Sequence, residues 1–117
     1  MFLAEYGADA WDARTSEENQ SAQADATRAL TRALMDANVA DHADGVVLGG
    51  TIFEWSDEWW KDGSGSPSEH DVGGFAPGGG PHPDATFNEE WWGLVEVDRT
   101  PREAYGVLAE LYAGSGG

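Results

Sequence analysis

The chain has 117 residues and a formal net charge of −16, with six Lys and Arg against 22 Asp and Glu. That size allows one domain with a modest core. The charge argues against nucleic acid and against an anionic membrane surface, because both are held by basic residues that are scarce here.

Cysteine is absent, so disulfides and thiol chemistry are excluded. Six tryptophans and 40% hydrophobic residues argue against wholesale disorder. Met1-Phe2-Leu3-Ala4 is apolar, but Glu5 follows at once and no basic region precedes it, so it does not read as a secretory leader. No stretch reaches the length of a membrane span. The expectation is a cytoplasmic protein without a cofactor, and its acidity also suits a medium of high ionic strength.

Taken in order, residues 2–5 read as a short strand and Tyr6-Gly7-Ala8-Asp9 as a turn. Residues 9–14 read as a loop. Trp11 within it is either a lid over the core or a binding platform. Thr15-Ser16-Glu17-Glu18 has the pattern of a capping box, which predicts a helix over 16–38. Ala22, Ala26, Ala29, Leu30, Ala33, Leu34 and Ala37 make one narrow apolar face at helical spacing. Arg28 and Arg32 can pair locally with Asp25 and Asp36.

Residues 46–54 read as the next strand. Val46, Val47 and Leu48 run without polar alternation, and Thr51, Ile52 and Phe53 resume after two glycines. Such a run suits a strand covered on both faces of a parallel sheet. The glycines suggest a bulge or a close approach of backbone. Strand, helix, strand is the order of an α/β unit. Glu54, Trp55, Asp57, Glu58, Trp59 and Trp60 then crowd carboxylates and indoles at the strand's C-terminal end, where parallel sheets carry their sites. Flat rings beside acids suit the stacking and hydrogen bonding of a sugar.

Residues 62–86 form a Gly/Pro-rich loop. Glu69, His70, Asp71, His82 and Asp84 are scattered through it without the spacing of a metal site, so no metal is expected. Leu94, Val95 and Val97 suggest a short extended piece. Thr100-Pro101-Arg102-Glu103 reads as a second capping box. It opens a helix that runs to about Ala113, with Ala104, Val107, Leu108, Leu111 and Tyr112 as its apolar face. Residues 114–117 read as a flexible tail. Two strands and two helices leave sheet edges and faces unpaired, so the chain is expected to meet further strands from another polypeptide, an oligomer or a longer protein.

Three motifs carry a family resemblance. Ala4-Glu5-Tyr6-Gly7-Ala8-Asp9 resembles the nucleophile motif of the glycoside hydrolase family 2 catalytic barrel, the family of β-galactosidases and β-glucuronidases within the clan A retaining enzymes. Gly50-Thr51-Ile52-Phe53-Glu54-Trp55-Ser56-Asp57 looks like its strand eight. Asn88-Glu89-Glu90-Trp91-Trp92-Gly93-Leu94-Val95, followed by Asp98-Arg99-Thr100-Pro101-Arg102-Glu103-Ala104-Tyr105, is similar to the segment entering its last helix. The resemblance spans most of residues 1–113 apart from the loop at 62–86.

The resemblance implies an α/β fold that is part of a TIM barrel: strand seven, helix seven, strand eight, a long loop and helix eight. It implies Glu5 as nucleophile of a double-displacement glycosidase acting on a β-linked carbohydrate. Tyr6 would orient Glu5, Trp55 would stack on the innermost sugar, and Trp11 and Trp59 would shape outer subsites. Retaining chemistry needs a second carboxyl about 5–5.5 Å from the first. In the family that residue closes strand four, which would lie upstream of Met1. Asn88-Glu89 has its letters but follows strand eight. The isolated chain is therefore expected to be inactive. A non-catalytic carbohydrate-binding module and an acidic protein-interaction module stand as the alternatives.

Overall fold

The computed structural model describes residues 1–61, 65–70, 86 and 88–114. Most of the loop at 62–86, with Asp71, His82 and Asp84, and the tail beyond Gly114 lie outside the described residues.

Among the described residues the architecture is a small mixed α/β domain with two helices and two short sheets. Strand β1 (Phe2–Tyr6) pairs in parallel with β4 (Gly49–Ile52), in the register Phe2 to Gly49, Leu3 to Gly50 and Tyr6 to Ile52. Helix α1 (Gln20–Asp36) connects them, as the strand, helix, strand order predicts. A second helix, α2 (Glu103–Gly114), packs against α1. Gly50 is where the layers close. A Cβ there would lie 3.1 Å from Leu34 Cδ1 and 3.2 Å from both Leu3 and Tyr6, so the close approach expected of a strand glycine is borne out at this position.

The start of α1 differs from the expectation. The helix begins at Gln20, and Asn19 caps it by accepting the Ala22 N–H at 3.0 Å. Residues 11–18 form a ribbon, with β2 (Trp11–Asp12) antiparallel to β3 (Glu17–Glu18). Asp12 directs the turn between them. Its carbonyl accepts the N–H of Thr15 and of Ser16, and Ser16 takes a positive φ of 57°. Its carboxylate is gripped by Arg14 at 2.5–2.8 Å, which holds the Asp12 pKa down at about 2 against the effect of burial. Thr15 is spent on this turn and cannot cap the helix.

The buried face of α1 is also not the alanine and leucine face. Gln23, Ala24, Thr27 and Thr31 are buried, about a third of a turn away from the predicted stripe. Ala29, Leu30 and Ala33 are exposed. Hydrogen bonds explain the choice. Gln23 Nε2 donates to the carbonyls of Ala8 (3.2 Å) and Gly93 (3.1 Å), and Thr31 Oγ1 lies 3.2 Å from the Tyr6 hydroxyl. Buried polar groups satisfied in this way carry little penalty. Ala24, Leu94, Ala104 and Leu108 form an apolar core cluster, with Ile52 and Val107 against it.

The second capping box is likewise displaced. Thr100 and Arg102 pair back onto the return segment, with Glu96 N–H donating to Thr100 O at 2.9 Å and Arg102 N–H to Leu94 O at 3.0 Å. Helix α2 therefore starts only at Glu103, whose N–H is taken by the Gln20 side chain at 3.2 Å. Its buried residues, Ala104 and Leu108, belong to the predicted face, whereas Tyr112 is exposed.

The parallel sheet is covered on one side only. Leu3, Tyr6 and Leu34 close over Gly50, but Phe2, Val46 and Leu48 remain 58%, 63% and 67% exposed. The expected strand at 46–54 contracts to Gly49–Ile52. Val46 and Val47 bond to Ala37 O at the end of α1, at 2.9 Å each, and only Val47 of the three apolar residues is buried. Nothing in the described residues covers the other face.

One ion pair ties the C-terminal half together. Arg102 is 2% exposed. Its Nη1 and Nη2 donate to Asp57 Oδ1 and Oδ2 at 2.6 and 2.7 Å, its Nη1 also to Gly93 O at 3.0 Å, and its Nε to Glu18 Oε1 at 2.6 Å. Asp57 Oδ1 further accepts the Gly93 N–H at 2.8 Å, and His70 Nε2 lies 2.7 Å from Oδ2. Gly93 is required here, since a Cβ would fall 2.6 Å from Asp57 Oδ1 and 2.3 Å from the Asp57 nitrogen. Burial opposes the charge on Arg102, but its hydrogen bonds to Asp57 and Glu18 outweigh that and raise its pKa. Removing one member of such a pair leaves the other charged and buried. Arg102→Met and Asp57→Leu are each expected to lower the unfolding free energy by about 3–5 kcal/mol, and the double variant to lose less than the sum. Urea titration followed by circular dichroism checks this, and additive losses would mean that the two residues are not coupled.

Candidate functional site

The C-terminal ends of β1 and β4 are joined by the segments that leave them. Beyond β1, Tyr6 O accepts the Phe53 N–H at 2.7 Å and the Ala10 N–H reaches Trp91 O at 2.9 Å. Beyond β4, Glu54–Asp57 runs parallel to Trp92–Val95. Glu54 N–H donates to Trp92 O, Leu94 N–H to Glu54 O, Val95 N–H to Trp55 O and Asp57 N–H to Val95 O, over 2.9–3.2 Å. This framework fixes the acid and tryptophan run that the sequence singles out.

An open pocket of about 340 Å³ lies along it. Its lining includes Glu54, Trp55, Glu58, Trp59 and Trp60, together with Val97 and Arg99 from the return segment. Trp59 and Trp60 meet edge to face, with centroids 5.7 Å apart. Trp55 makes the same kind of contact with Tyr105 at 5.9 Å and stays 59% exposed. The indoles thus combine fixed geometry with open faces, which suits a ring-shaped ligand.

The acids around the pocket differ in state. Asp57 is buried in the ion pair. Glu58 lies 3.2 Å from Lys61, which also approaches Glu89 at 3.7 Å. These two acids raise the Lys61 pKa against the effect of burial. Glu54 is half-buried, and its Oε1 is enclosed without a hydrogen-bond partner. Burial, and next the charge of Glu58, push its pKa up to about 8. At neutral pH Glu54 is therefore largely a neutral acid.

The sequence-predicted residues divide between places. Trp55 and Trp59 line the pocket. Glu5 is exposed at the end of β1 and outside the pocket lining. Tyr6 turns inward: its ring packs over Gly50 and its hydroxyl lies against Thr31, so this phenol serves the helix contact and not the orientation of Glu5. Trp11 packs on Trp91 with centroids 5.0 Å apart, and Trp91 in turn stacks on His70 at 4.2 Å and lies beneath Arg102. Of the two roles open to Trp11, the structure favours the lid. His70 and Glu69 are among the described residues, which contain no cluster of groups suited to a metal.

Sequence reasoning missed Arg99, Arg102 and the buried role of Asp57. The ion pair joins residues 45 apart, and no local pattern marks it. No protein-family model, no curated protein sequence and no solved structure matches the chain. No helix among the described residues is long and apolar enough to cross a membrane.

The raised Glu54 pKa makes a pH prediction. The folded state holds this proton to about pH 8, whereas an unfolded glutamate releases it near pH 4.3. Between those values the folded state binds more protons, so stability falls as pH rises, and the effect is absent below the lower value. Glu54→Gln is expected to stabilise the chain increasingly from pH 5 to pH 8. Urea midpoints across that range check it, and parallel curves for the two proteins would refute the assignment.

Proposed function

We propose that the chain forms the last two β/α units of a retaining β-glycosidase barrel, with Glu5 as nucleophile. The observation that carries this reading is the open parallel pair. β1 and β4 lie side by side with α1 between them in sequence. Glu5 ends one strand, and the acid and tryptophan run leaves the other. Parallel strands are otherwise found covered on both faces, and here Phe2 of β1 is exposed, as are Val46 and Leu48 on the approach to β4. Further barrel strands, from a longer polypeptide or a second chain, would bury that face and bring the second carboxyl.

In the proposed reaction Glu5 attacks the anomeric carbon, and the acid/base carboxyl protonates the leaving oxygen. Water then releases the sugar from Glu5 with retention of configuration. Glu58 is held by Lys61, and in this reading the acid role falls to a carboxyl from a further strand. The 117-residue chain alone is expected to be inactive.

A second reading, a non-catalytic carbohydrate-binding module, draws support from the exposed Trp55 and Trp60 at the pocket. Activity separates the two. Joined to, or mixed with, the first six barrel units of a family 2 enzyme, the chain is expected to hydrolyse aryl β-glycosides. Glu5→Gln should lower kcat on the order of 10⁴-fold while leaving the circular dichroism spectrum intact. An assembled barrel that is folded and inactive, or equally active with Glu5→Gln, would remove the glycosidase reading.

A further inference from the structure

Arg99 stands at the turn before α2 in a left-handed backbone conformation, with φ 76°. Its N–H donates to Glu96 O at 2.9 Å, and the neighbouring Asp98 is committed to the Thr100 N–H at 2.8 Å. The guanidinium crosses to the other side of the pocket, where Nη1 donates to Ser56 Oγ. Among the described residues it has no carboxylate within ion-pair distance. It lines the same pocket as Trp55, Trp59 and Trp60.

Asp57 and Glu58 of the lining are engaged elsewhere, with Arg102 shared between Asp57 and Glu18 and Lys61 between Glu58 and Glu89. Glu54 has a buried, unpartnered oxygen and keeps its proton at neutral pH. In a chain with 22 acids and six bases, Arg99 is a cation of this lining that is ion-paired to no carboxylate among the described residues. An arginine with free donors beside aromatic faces recognises planar or tetrahedral anions better than a lysine does.

We propose that the pocket between Trp55, Trp60 and Arg99 binds a sugar ring carrying one anionic substituent, a carboxylate or a sulfate ester, with the ring on the indoles and the anion on Arg99 and Ser56. The proposal deepens the carbohydrate reading above and rests on it. The volume, about 340 Å³, lies at the small end of ligand pockets and limits the occupant to one or two rings. Both anions accept from a guanidinium and a hydroxyl, so the site does not discriminate between them by charge alone.

Calorimetric titration of the full chain tests it with three probes: a glucuronic-acid disaccharide, a sulfated galactose disaccharide and a neutral glucose disaccharide. At least one acidic probe is expected to bind about tenfold more tightly than the neutral one, and which of them does so identifies the substituent. Arg99→Gln should abolish that preference, and Arg99→Lys should restore part of it. Should the variants fail to fold, the wild-type chain still decides the matter, since the acidic advantage must shrink as salt is raised. Equal binding of acidic and neutral probes, or a preference indifferent to Arg99 and to salt, overturns the proposal and leaves the carbohydrate reading standing. Failure of all three probes to bind overturns both.

Discussion

The buried contact between Asp57 and Arg102 is the constraint on which the C-terminal half of the structure depends. Five segments meet there. Asp57 leaves β4, Arg102 precedes α2, Gly93 supplies both an N–H and a carbonyl, Glu18 comes from β3, and His70 comes from the loop. An arginine fork is suited to this position because its donors are planar and fixed in direction. Burial costs such a pair several kcal/mol per ion, and here the remaining lone pairs and protons find backbone and side-chain partners. The contact therefore works less as a source of net stability than as a rule for where each segment lies.

That rule matters because the buried interior is partly polar. The cluster between the helices includes two alanines, Ala24 and Ala104, and the inward face of α1 offers glutamine and threonine. Hydrogen bonds to Ala8, Gly93 and Tyr6 set the rotation of this helix. They leave Ala29, Leu30 and Ala33 of its alanine and leucine stripe exposed, while Leu34 packs on Gly50. That surface and the exposed Phe2, Val46 and Leu48 argue for neighbours that pack on both. A barrel supplies neighbours of the right kind, a strand beside each strand and a helix beside each helix.

The parts of the fold that depend on local order were legible in the sequence. The strand, helix, strand sequence, the parallel pairing and the apolar residues of α2 follow from period and length. Caps and faces were not. Thr15 and Thr100 both sit in capping patterns, yet each is claimed by a tighter turn or a backward pairing, through Asp12 in one case and Glu96 in the other. The stripe on α1 misled because alanine is nearly as content in water as in a core, whereas Gln23 and Thr31 have partners that only the folded chain creates. The same holds at the pocket. Trp55 and Trp59 announce themselves by composition, but the neutrality of Glu54 arises from enclosure, and the reach of Arg99 to Ser56 spans 43 residues.

The electrostatics of the site bear on its chemistry. A chain of net charge −16 repels anions at long range, yet that field is screened within about 10 Å at ordinary ionic strength. At contact distance the lining carries no free carboxylate pair. Asp57 is paired with Arg102, Glu58 with Lys61, and burial with the charge of Glu58 favours the proton on Glu54. The arrangement separates two tasks that composition alone would merge. Glu54 has the protonation state of a general acid and sits half-buried in the pocket wall with one oxygen enclosed, whereas Glu5 is accessible and outside the lining. Under the barrel reading, reaction and recognition then fall to different residues: Glu5 with a carboxyl from another strand for the first, and the tryptophans with Arg99 for the second.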